Sequence, residues 1–106
     1  MGFFSSLFGK TDSQLTDAIK KQPLLVDVRT PGEFRAGSIP GAVNIPLDML
    51  NSQLSKCRGK NCIVVFCASG MRSSQAKGIL ERNGFTDVIN GGSWKNVQTT
   101  IENISS

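Results

Sequence analysis

The segment Cys67–Arg72 (CASGMR) carries the residue types that could do chemistry in this chain. Cys67 ends an apolar run, CIVVFC, and three small residues, 68–70, follow before a helix is predicted to begin near Met71. A cysteine at this place faces unpaired backbone N–H groups and the positive end of the helix, which favour the thiolate over the thiol. Arg72 adds a permanent charge on a planar fork that suits an oxyanion. The segment therefore predicts a nucleophilic thiolate beside an anion-binding loop.

Two interpretations of Cys67 follow from this segment alone. In the first, it is a nucleophile that ionises without a histidine base, since the chain contains no histidine and thiols beside a helix N-terminus can have a low pKa. In the second, it is an inert cysteine at a strand end, because free cysteines are often buried. The lack of histidine also excludes a Ser-His-Asp triad, a Cys-His dyad and an HExxH zinc site.

The chain has three cysteines, Cys57, Cys62 and Cys67. An odd number without an export signal predicts a reducing, cytoplasmic location. Their spacing and the lack of histidine do not suit the usual four ligands of zinc, so we expect no metal site and no cofactor. Cys62 is predicted to fill the core, whereas Cys57, in KCRGKN, is predicted to be exposed. A disulfide between Cys57 and Cys67 is the weaker alternative, since the intervening strand separates them.

The composition predicts one folded domain. The chain has 106 residues, of which 39 % are hydrophobic, and both values are ordinary for a soluble domain. No uncharged stretch approaches the ~20 residues that span a bilayer, so we expect no transmembrane segment. The net charge of +4 mildly favours anionic ligands. The basic residues are scattered, however, and no aromatic residues are interleaved with them, which argues against nucleic-acid binding.

Strand and helix signals alternate along the chain. Strands are predicted at Leu24–Val28, Ala42–Ile45, Cys62–Cys67 and Asp87–Asn90, and helices around Leu15–Ile19, at Pro31–Ala36, after an Asp48 cap, at Met71–Asn83 and around Trp94. Such alternation is typical of right-handed βαβ units. We therefore expect an α/β fold with a parallel sheet of four or five strands, flanked by helices on both faces. Ligands bind such sheets at the carboxyl ends of the strands, where Cys67 lies.

Residues 1–10 are predicted to form a short apolar segment ahead of a single domain at 11–106. Four apolar residues recur there at helical spacing: Phe3, Phe4, Leu7 and Phe8. We expect this apolar face to pack on the domain, and the alternative is that it docks on a partner or on a membrane surface.

Two longer motifs add to the cysteine segment. The stretch Leu25–Leu47, LVDVRTPGEFRAGSIPGAVNIPL, closely resembles the rhodanese pattern of DVR, then E-F, then G-x-IPGA, then NIP. The segment Cys67–Arg72 is similar to the C-x-x-G-x-R active-site loop of that family, and GGSW at 91–94 resembles its closing segment. Ser38 departs from the pattern, because the family usually has histidine there. The hydrogen bond between loops at that position is the feature this departure puts in question.

The resemblance implies a rhodanese fold and sulfur transfer through a cysteine persulfide. Cys67 matches the sulfur-carrying nucleophile, and the loop that would cradle the outer sulfur and the oxyanion of the substrate is Ala68, Ser69, Gly70, Met71 and Arg72. Three residues match the framework of the DVR motif, Asp27, Arg29 and Glu33, and we expect them to form an ion-pair network that positions the loops. We also expect a turn at Pro40 and Gly41, and Trp94 in the core.

The loop length separates classes of enzyme. Cysteine phosphatases use C-x5-R, whereas Cys67 and Arg72 enclose four residues, so the shorter cradle resembles the sulfurtransferase form. The expected partners are a small anionic sulfur donor such as thiosulfate and an acceptor that is cyanide or a thiol, including a protein acceptor. Three alternatives remain: a persulfide carrier that hands sulfur to a partner protein, a rhodanese-like phosphatase or arsenate reductase, and a docking domain tethered by its first residues.

Overall fold

Four parallel strands form one sheet in the computed structural model, which describes residues 13–105. The strands are β1 (Leu24–Asp27), β2 (Val43–Asn44), β3 (Ile63–Cys67) and β4 (Val88–Ser93). Their spatial order is β2-β1-β3-β4, and every neighbouring pair is parallel. The predicted α/β fold is confirmed with four strands in the described part of the chain. The predictions for residues 1–10 lie outside the described residues.

The described residues also form four α-helices and two 3₁₀ helices, of which α1 precedes β1, α4 follows β4 and the others connect the strands. Helix α1 includes residues 13–20, and the others are α2 (Pro31–Ala36), α3 (Met71–Arg82) and α4 (Trp94–Ser105). The helix expected after Asp48 is wrong in type, because this stretch forms the 3₁₀ helices Leu47–Ser52 and Leu54–Cys57. Pro46 takes the N-cap position, so Asp48 falls inside the first turn and cannot serve as the cap. Gln53, with φ −125°, then separates the two short helices.

Strand β3 divides the core between the two faces of the sheet. Alternate side chains of a strand point to opposite faces, and Ile63, Val65 and Cys67 belong to one buried cluster. That cluster also holds residues of α3 and of the 3₁₀ helices, such as Leu80 and Leu50. The other cluster contains Cys62, Val64 and Phe66 of the apolar run, together with Leu15 and Ala18 of α1 and Val97 of α4. The predicted cover of helices on both faces is therefore confirmed.

The carboxyl ends of β1 and β3 meet at one edge of the sheet. Asp27 ends β1 and Cys67 ends β3, and α2 and α3 begin within a few residues of these two positions. Beside Cys67 the register between β3 and β4 shifts, so that Val65 pairs with Asn90 but Cys67 pairs with Ser93. The extra residue in β4 is a bulge, a feature that re-aims side chains beside functional sites.

Glycine residues determine where helix α3 begins and ends. Gly70, with φ +101°, occupies the N-cap position in a left-handed conformation that favours glycine. At the other end the N–H of Phe85 bonds to the carbonyl of Leu80, and Gly84 has φ +93°. This is the glycine-terminated ending that the position of Gly84 predicts. In the part of the chain that the structure describes, no helix is long and apolar enough to cross a bilayer.

Candidate active site

The sulfur of Cys67 lies inside the loop that joins β3 to α3. The N–H of Gly70 donates a hydrogen bond to Cys67 Sγ at 3.0 Å, and the hydroxyl of Ser73 lies 3.5 Å from the same sulfur. The Cys67 residue itself is 0 % exposed, whereas Ala68 and Ser69 are exposed at the rim. The sulfur therefore sits at the bottom of a cradle of small residues.

These hydrogen bonds decide the ionisation of Cys67. Burial alone raises the pKa of the thiol, but the Ser73 hydroxyl and the backbone amides of Ser73, Ser69 and Gly70 outweigh it and lower the pKa from 9.0 to about 7. A thiol with such a pKa is about half ionised at neutral pH, although the chain has no histidine to act as a base. Hydrogen bonding to the charged form thus favours the thiolate, the form that can act as a nucleophile.

Ser73 and Asn90 form a buried polar pair that the sequence interpretation missed. Ser73 is fully buried, and its hydroxyl lies 2.7 Å from Asn90 Oδ1 and 3.1 Å from the carbonyl of Gly70. Asn90 Oδ1 also accepts a hydrogen bond from the N–H of Gly92 at 2.9 Å, and Asn90 Nδ2 donates to the carbonyl of Gly70 at 3.3 Å. A signal exists in the sequence, because Ser73 shares the spacing of the buried Ala76 and Leu80 on one face of α3.

A hydroxyl carries one proton, which gives Ser73 two useful orientations. Directed at Asn90, the proton leaves the Ser73 oxygen free to accept the S–H of a neutral Cys67. Directed at the sulfur, it stabilises the thiolate, while Asn90 Oδ1 keeps its hydrogen bond from Gly92. Asn90 Oδ1 has a hydrogen-bond partner in both orientations. Ionisation of Cys67 therefore does not leave this buried oxygen without a hydrogen bond.

Arg72 is held by Glu33 of helix α2. Its two terminal nitrogens donate to the two carboxylate oxygens of Glu33 at 2.8 and 3.1 Å, and both side chains are 36 % exposed. The N–H and hydroxyl of Thr30 also donate to Glu33 Oε1, and the hydroxyl accepts from the Glu33 N–H, which completes a capping box. The Arg72 hydrogen bond is the largest cause that lowers the pKa of Glu33 from 4.5 to about 2. The same pairing raises the pKa of Arg72.

Asp27 and Arg29 form a second, separate ion pair. Arg29 Nη2 donates to Asp27 Oδ2 at 2.7 Å, and Arg29 Nε contacts both carboxylate oxygens at 3.0 and 3.1 Å. Both residues are buried, and the guanidinium also donates to the carbonyl of Gly37 at 2.6 Å and stacks 5.2 Å from the Trp94 ring centre. Asp27, Arg29 and Glu33 therefore divide between two pairs, whereas the sequence predicted one network.

Ser38 keeps a hydrogen bond between loops. Its hydroxyl donates to Asp27 Oδ2 at 2.7 Å, so the departure from histidine does not leave this position without a link. The turn expected at Pro40 and Gly41 is present, since the N–H of Ala42 bonds to the carbonyl of Ile39 and Gly41 has φ +86°. These contacts fix the segment between α2 and β2 against the end of β1.

The other two cysteines are both buried. Cys62 fills the core as predicted, at 1 % exposure. The expectation of an exposed Cys57 is wrong, because the second 3₁₀ helix turns this side chain into the cluster that contains Leu50 and Leu80. Burial raises the pKa of both thiols. All three cysteines are free, and the one with a lowered pKa is Cys67.

A cleft of about 300 Å³ opens beside the loop. Its lining is mainly apolar, and it has two charged side chains; the lining residues are Val28, Thr30, Pro46, Leu47, Asp48 and Arg72. Met71, the residue before Arg72, is 74 % exposed. The Cys67 sulfur, the arginine and an apolar wall thus lie at the same edge of the sheet.

The sequence and the structure were compared with those of known proteins, and the comparison identifies the family. Residues 11–99 match the family described as Rhodanese-like domain. The chain belongs to that family. This rhodanese-like domain is 33 % identical to a solved structure described as rhodanese with anions from Escherichia coli, with a TM-score of 0.65, over 69 % of this chain and 88 % of the other.

Two relatives of the domain carry names that refer to sulfur. The Escherichia coli protein called thiosulfate sulfurtransferase PspE is 38 % identical, over 68 % of this chain and 71 % of its own length. A protein of Allochromatium vinosum called sulfurtransferase is 39 % identical, over 63 % of each chain. The rhodanese-like domain spans about half of another curated relative, the Bacillus subtilis protein YqhL, at 52 % of its length.

Proposed function

We propose that this rhodanese-like domain is a sulfurtransferase that carries sulfane sulfur on Cys67. The observation that carries the proposal is the Gly70 N–H at 3.0 Å from Cys67 Sγ, which with the Ser73 contacts brings the pKa of the thiol to about 7. The printed names of the Escherichia coli and Allochromatium vinosum relatives add support. The donor is thiosulfate or a similar sulfane compound, the acceptor is cyanide or a thiol, and the setting is the cytoplasm.

The reaction has two displacement steps. The Cys67 thiolate attacks the outer sulfur of thiosulfate, the new S–S bond forms, and the old S–S bond gives its electron pair to the departing sulfite. Charge on the leaving sulfite is stabilised by the loop N–H groups and by Arg72. Cyanide or a thiolate then attacks the outer sulfur of the Cys67 persulfide, which releases the product and restores the Cys67 thiolate. Neither step requires an added oxidant or reductant.

The loop residues have different parts in this reaction. Ser69 and Gly70 offer backbone donors to the sulfur, and Gly70 provides the left-handed turn that aims its own N–H inward. Arg72 has five N–H donors, and Glu33 occupies two of them. The remaining donors can serve an incoming oxyanion. Because Cys67 is 0 % exposed, we expect the loop to open when a donor reaches the sulfur.

The test is a comparison of wild type and Cys67→Ser in the thiosulfate:cyanide assay. We expect the variant to be inactive, and undiminished turnover would refute the role of Cys67. Intact-mass measurement after incubation with thiosulfate should show an adduct of about 32 Da, one sulfur atom, on Cys67. We expect Arg72→Ala to slow turnover by about 10²–10³, as loss of one preorganised charge typically does.

A persulfide carrier is the second candidate. Met71 is 74 % exposed beside the loop, and an apolar side chain at the rim would suit contact with a partner protein. Slow turnover of thiosulfate together with rapid sulfur transfer from a persulfidated donor protein would favour this candidate. A phosphatase or arsenate reductase is disfavoured by the four-residue spacing, and lack of hydrolysis of p-nitrophenyl phosphate would agree with that.

A further inference from the structure

The positive charge of the loop is already partnered inside the protein. Arg72 binds Glu33 through two hydrogen bonds. The charge on Cys67 also raises the pKa of Arg72, because the sulfur and the guanidinium interact electrostatically. Glu33 is in turn fixed by Thr30 through the capping box. An anion that approaches Arg72 is therefore repelled by the Glu33 carboxylate, which is already bound to the same guanidinium.

The neighbouring cleft adds negative charge and apolar surface. Asp48 is exposed and lines the cleft together with Arg72. With Glu33 and Asp48 negative and Arg72 positive, these three side chains sum to one negative charge, before the Cys67 thiolate is counted. Val28, Pro46 and Leu47 give the cleft its apolar wall. Compared with an arginine that lacks a carboxylate partner, these features weaken the attraction for a small dianion, and they suit a donor with little charge and an apolar body.

We propose that Glu33 is a specificity-determining residue, which partners Arg72 so that the site favours hydropersulfides, R–S–SH with an apolar R, over doubly charged donors such as thiosulfate. The inference rests on the proposed sulfurtransferase function and names its substrate class. In the loading step the Cys67 thiolate attacks the outer sulfur of R–S–SH. The Cys67–sulfur bond forms, the R–S to SH bond breaks, its electron pair leaves with RS⁻, and the proton stays on the outer sulfur of the new Cys67 persulfide.

The variant Glu33→Gln tests this directly. Glutamine serves at this position of a capping box as glutamate does, so the start of α2 is preserved while the charge is removed. Glu81→Gln is the matched control, because Glu81 forms an exposed ion pair with Lys77 on the last turns of α3, away from the loop. Circular dichroism verifies that both variants fold.

The measured quantity is the rate of persulfide formation on Cys67, followed by quenching and mass spectrometry, with thiosulfate and with benzyl hydropersulfide. In wild type we expect faster loading by the hydropersulfide, and a several-fold advantage of benzyl over 2-hydroxyethyl hydropersulfide. Glu33→Gln should raise the ratio of the thiosulfate rate to the benzyl hydropersulfide rate about tenfold at low ionic strength, and added salt should shrink this change. Glu81→Gln should leave the ratio at the wild-type value.

The outcomes separate the two proposals. If neither donor loads Cys67 of the wild type, the proposed function fails and this inference fails with it. If both donors load Cys67 but Glu33→Gln leaves the ratio unchanged, or changes it no more than Glu81→Gln does, the inference alone is overturned. Faster loading of wild type by thiosulfate than by benzyl hydropersulfide would also overturn it.

Discussion

The hydroxyl of Ser73 and the carboxamide oxygen of Asn90 lie 2.7 Å apart, and this contact joins helix α3 to strand β4 beneath the sulfur of Cys67. The bulge in β4 begins after Asn90, whose side-chain oxygen also accepts from the N–H of Gly92. Ser73 is thus a positioning residue for the thiolate, and Asn90 fixes Ser73.

Removal of this hydroxyl should weaken the thiolate. In Ser73→Ala the largest of the hydrogen bonds that lower the pKa of Cys67 is lost, so the pH at which Cys67 becomes half reactive should move from about 7 toward 9.0. Alkylation of Cys67 by iodoacetamide, followed by peptide mass spectrometry across pH 5–10, measures this midpoint. Ser74→Ala is the control, because Ser74 is exposed one position further along the helix, and an equal midpoint in both variants would contradict the prediction.

The wild-type reaction should itself depend on pH near neutrality. The lowered pKa of Cys67, about 7, means that the thiolate fraction rises as pH rises through that value. We expect the rate of persulfide formation to increase about tenfold per pH unit well below pH 7 and to level off above pH 8. Single-turnover kinetics with thiosulfate over this range provide the measurement. A midpoint near 9 would show that the loop amides do not act on the sulfur.

The buried pair of Asp27 and Arg29 should matter for stability more than any exposed pair. Asp27→Ala leaves the Arg29 charge buried without its carboxylate, which typically costs about 3–5 kcal/mol, a large part of the ~5–15 kcal/mol of an ordinary domain. Urea unfolding measures the loss. Glu81→Ala removes one partner of an exposed ion pair and should cost about 0–1 kcal/mol; equal losses in the two variants would refute the assignment.

Acid should release the link between α2 and the loop. The pKa of Glu33 is lowered from 4.5 to about 2, mainly by Arg72, so the carboxylate stabilises the fold above pH 4.5 and this contribution is lost as pH falls from 4.5 toward 2. The difference in unfolding free energy between wild type and Glu33→Gln should therefore be constant from pH 6 to pH 5 and shrink below pH 4.5. A difference that stays constant down to pH 2.5 would count against the ion pair.

The core around Gly91 has no room for an added methyl group. A Cβ there would lie 2.5 Å from Val97 Cγ2 and 3.0 Å from Val64 Cγ1, both in the buried core. We expect Gly91→Ala to destabilise by about 1–3 kcal/mol through overpacking, as measured by urea unfolding. Gly32→Ala, in helix α2 with no atom within 4 Å of the new Cβ, should instead stabilise by about 0.5–1 kcal/mol. Similar behaviour of the two variants would contradict this packing.

The sequence predicted the parts of the fold that are set by local patterns. The continuous apolar run of β3, the proline at the start of α2 and the glycine after α3 each have a short-range physical cause. Parallel pairing then follows from the alternation of strands and helices. Cys57 and the 3₁₀ helices escaped prediction, because a weak periodicity and a proline start at Pro46 give no clear signal for which side of a short turn faces the core.

The side-chain partnerships of the site could not be predicted in the same way. Glu33 and Arg72 are 39 residues apart, and Ser73 and Asn90 are 17 apart. Their pairing depends on how α2 and β4 dock against α3, to within a few tenths of an ångström, and no local pattern encodes that distance. The sequence indicated the cysteine loop and the charged residues as a group, but the structure decides which carboxylate meets which arginine.

The two outer strands of the sheet also affect how the protein behaves in a crowded solution. Strand β2 has two residues, and β4 carries the bulge between its pairings with Val65 and Cys67. Short strands and bulges are poor templates for the backbone of another chain. The rims of the sheet therefore resist self-association by strand addition, even where the protein is concentrated.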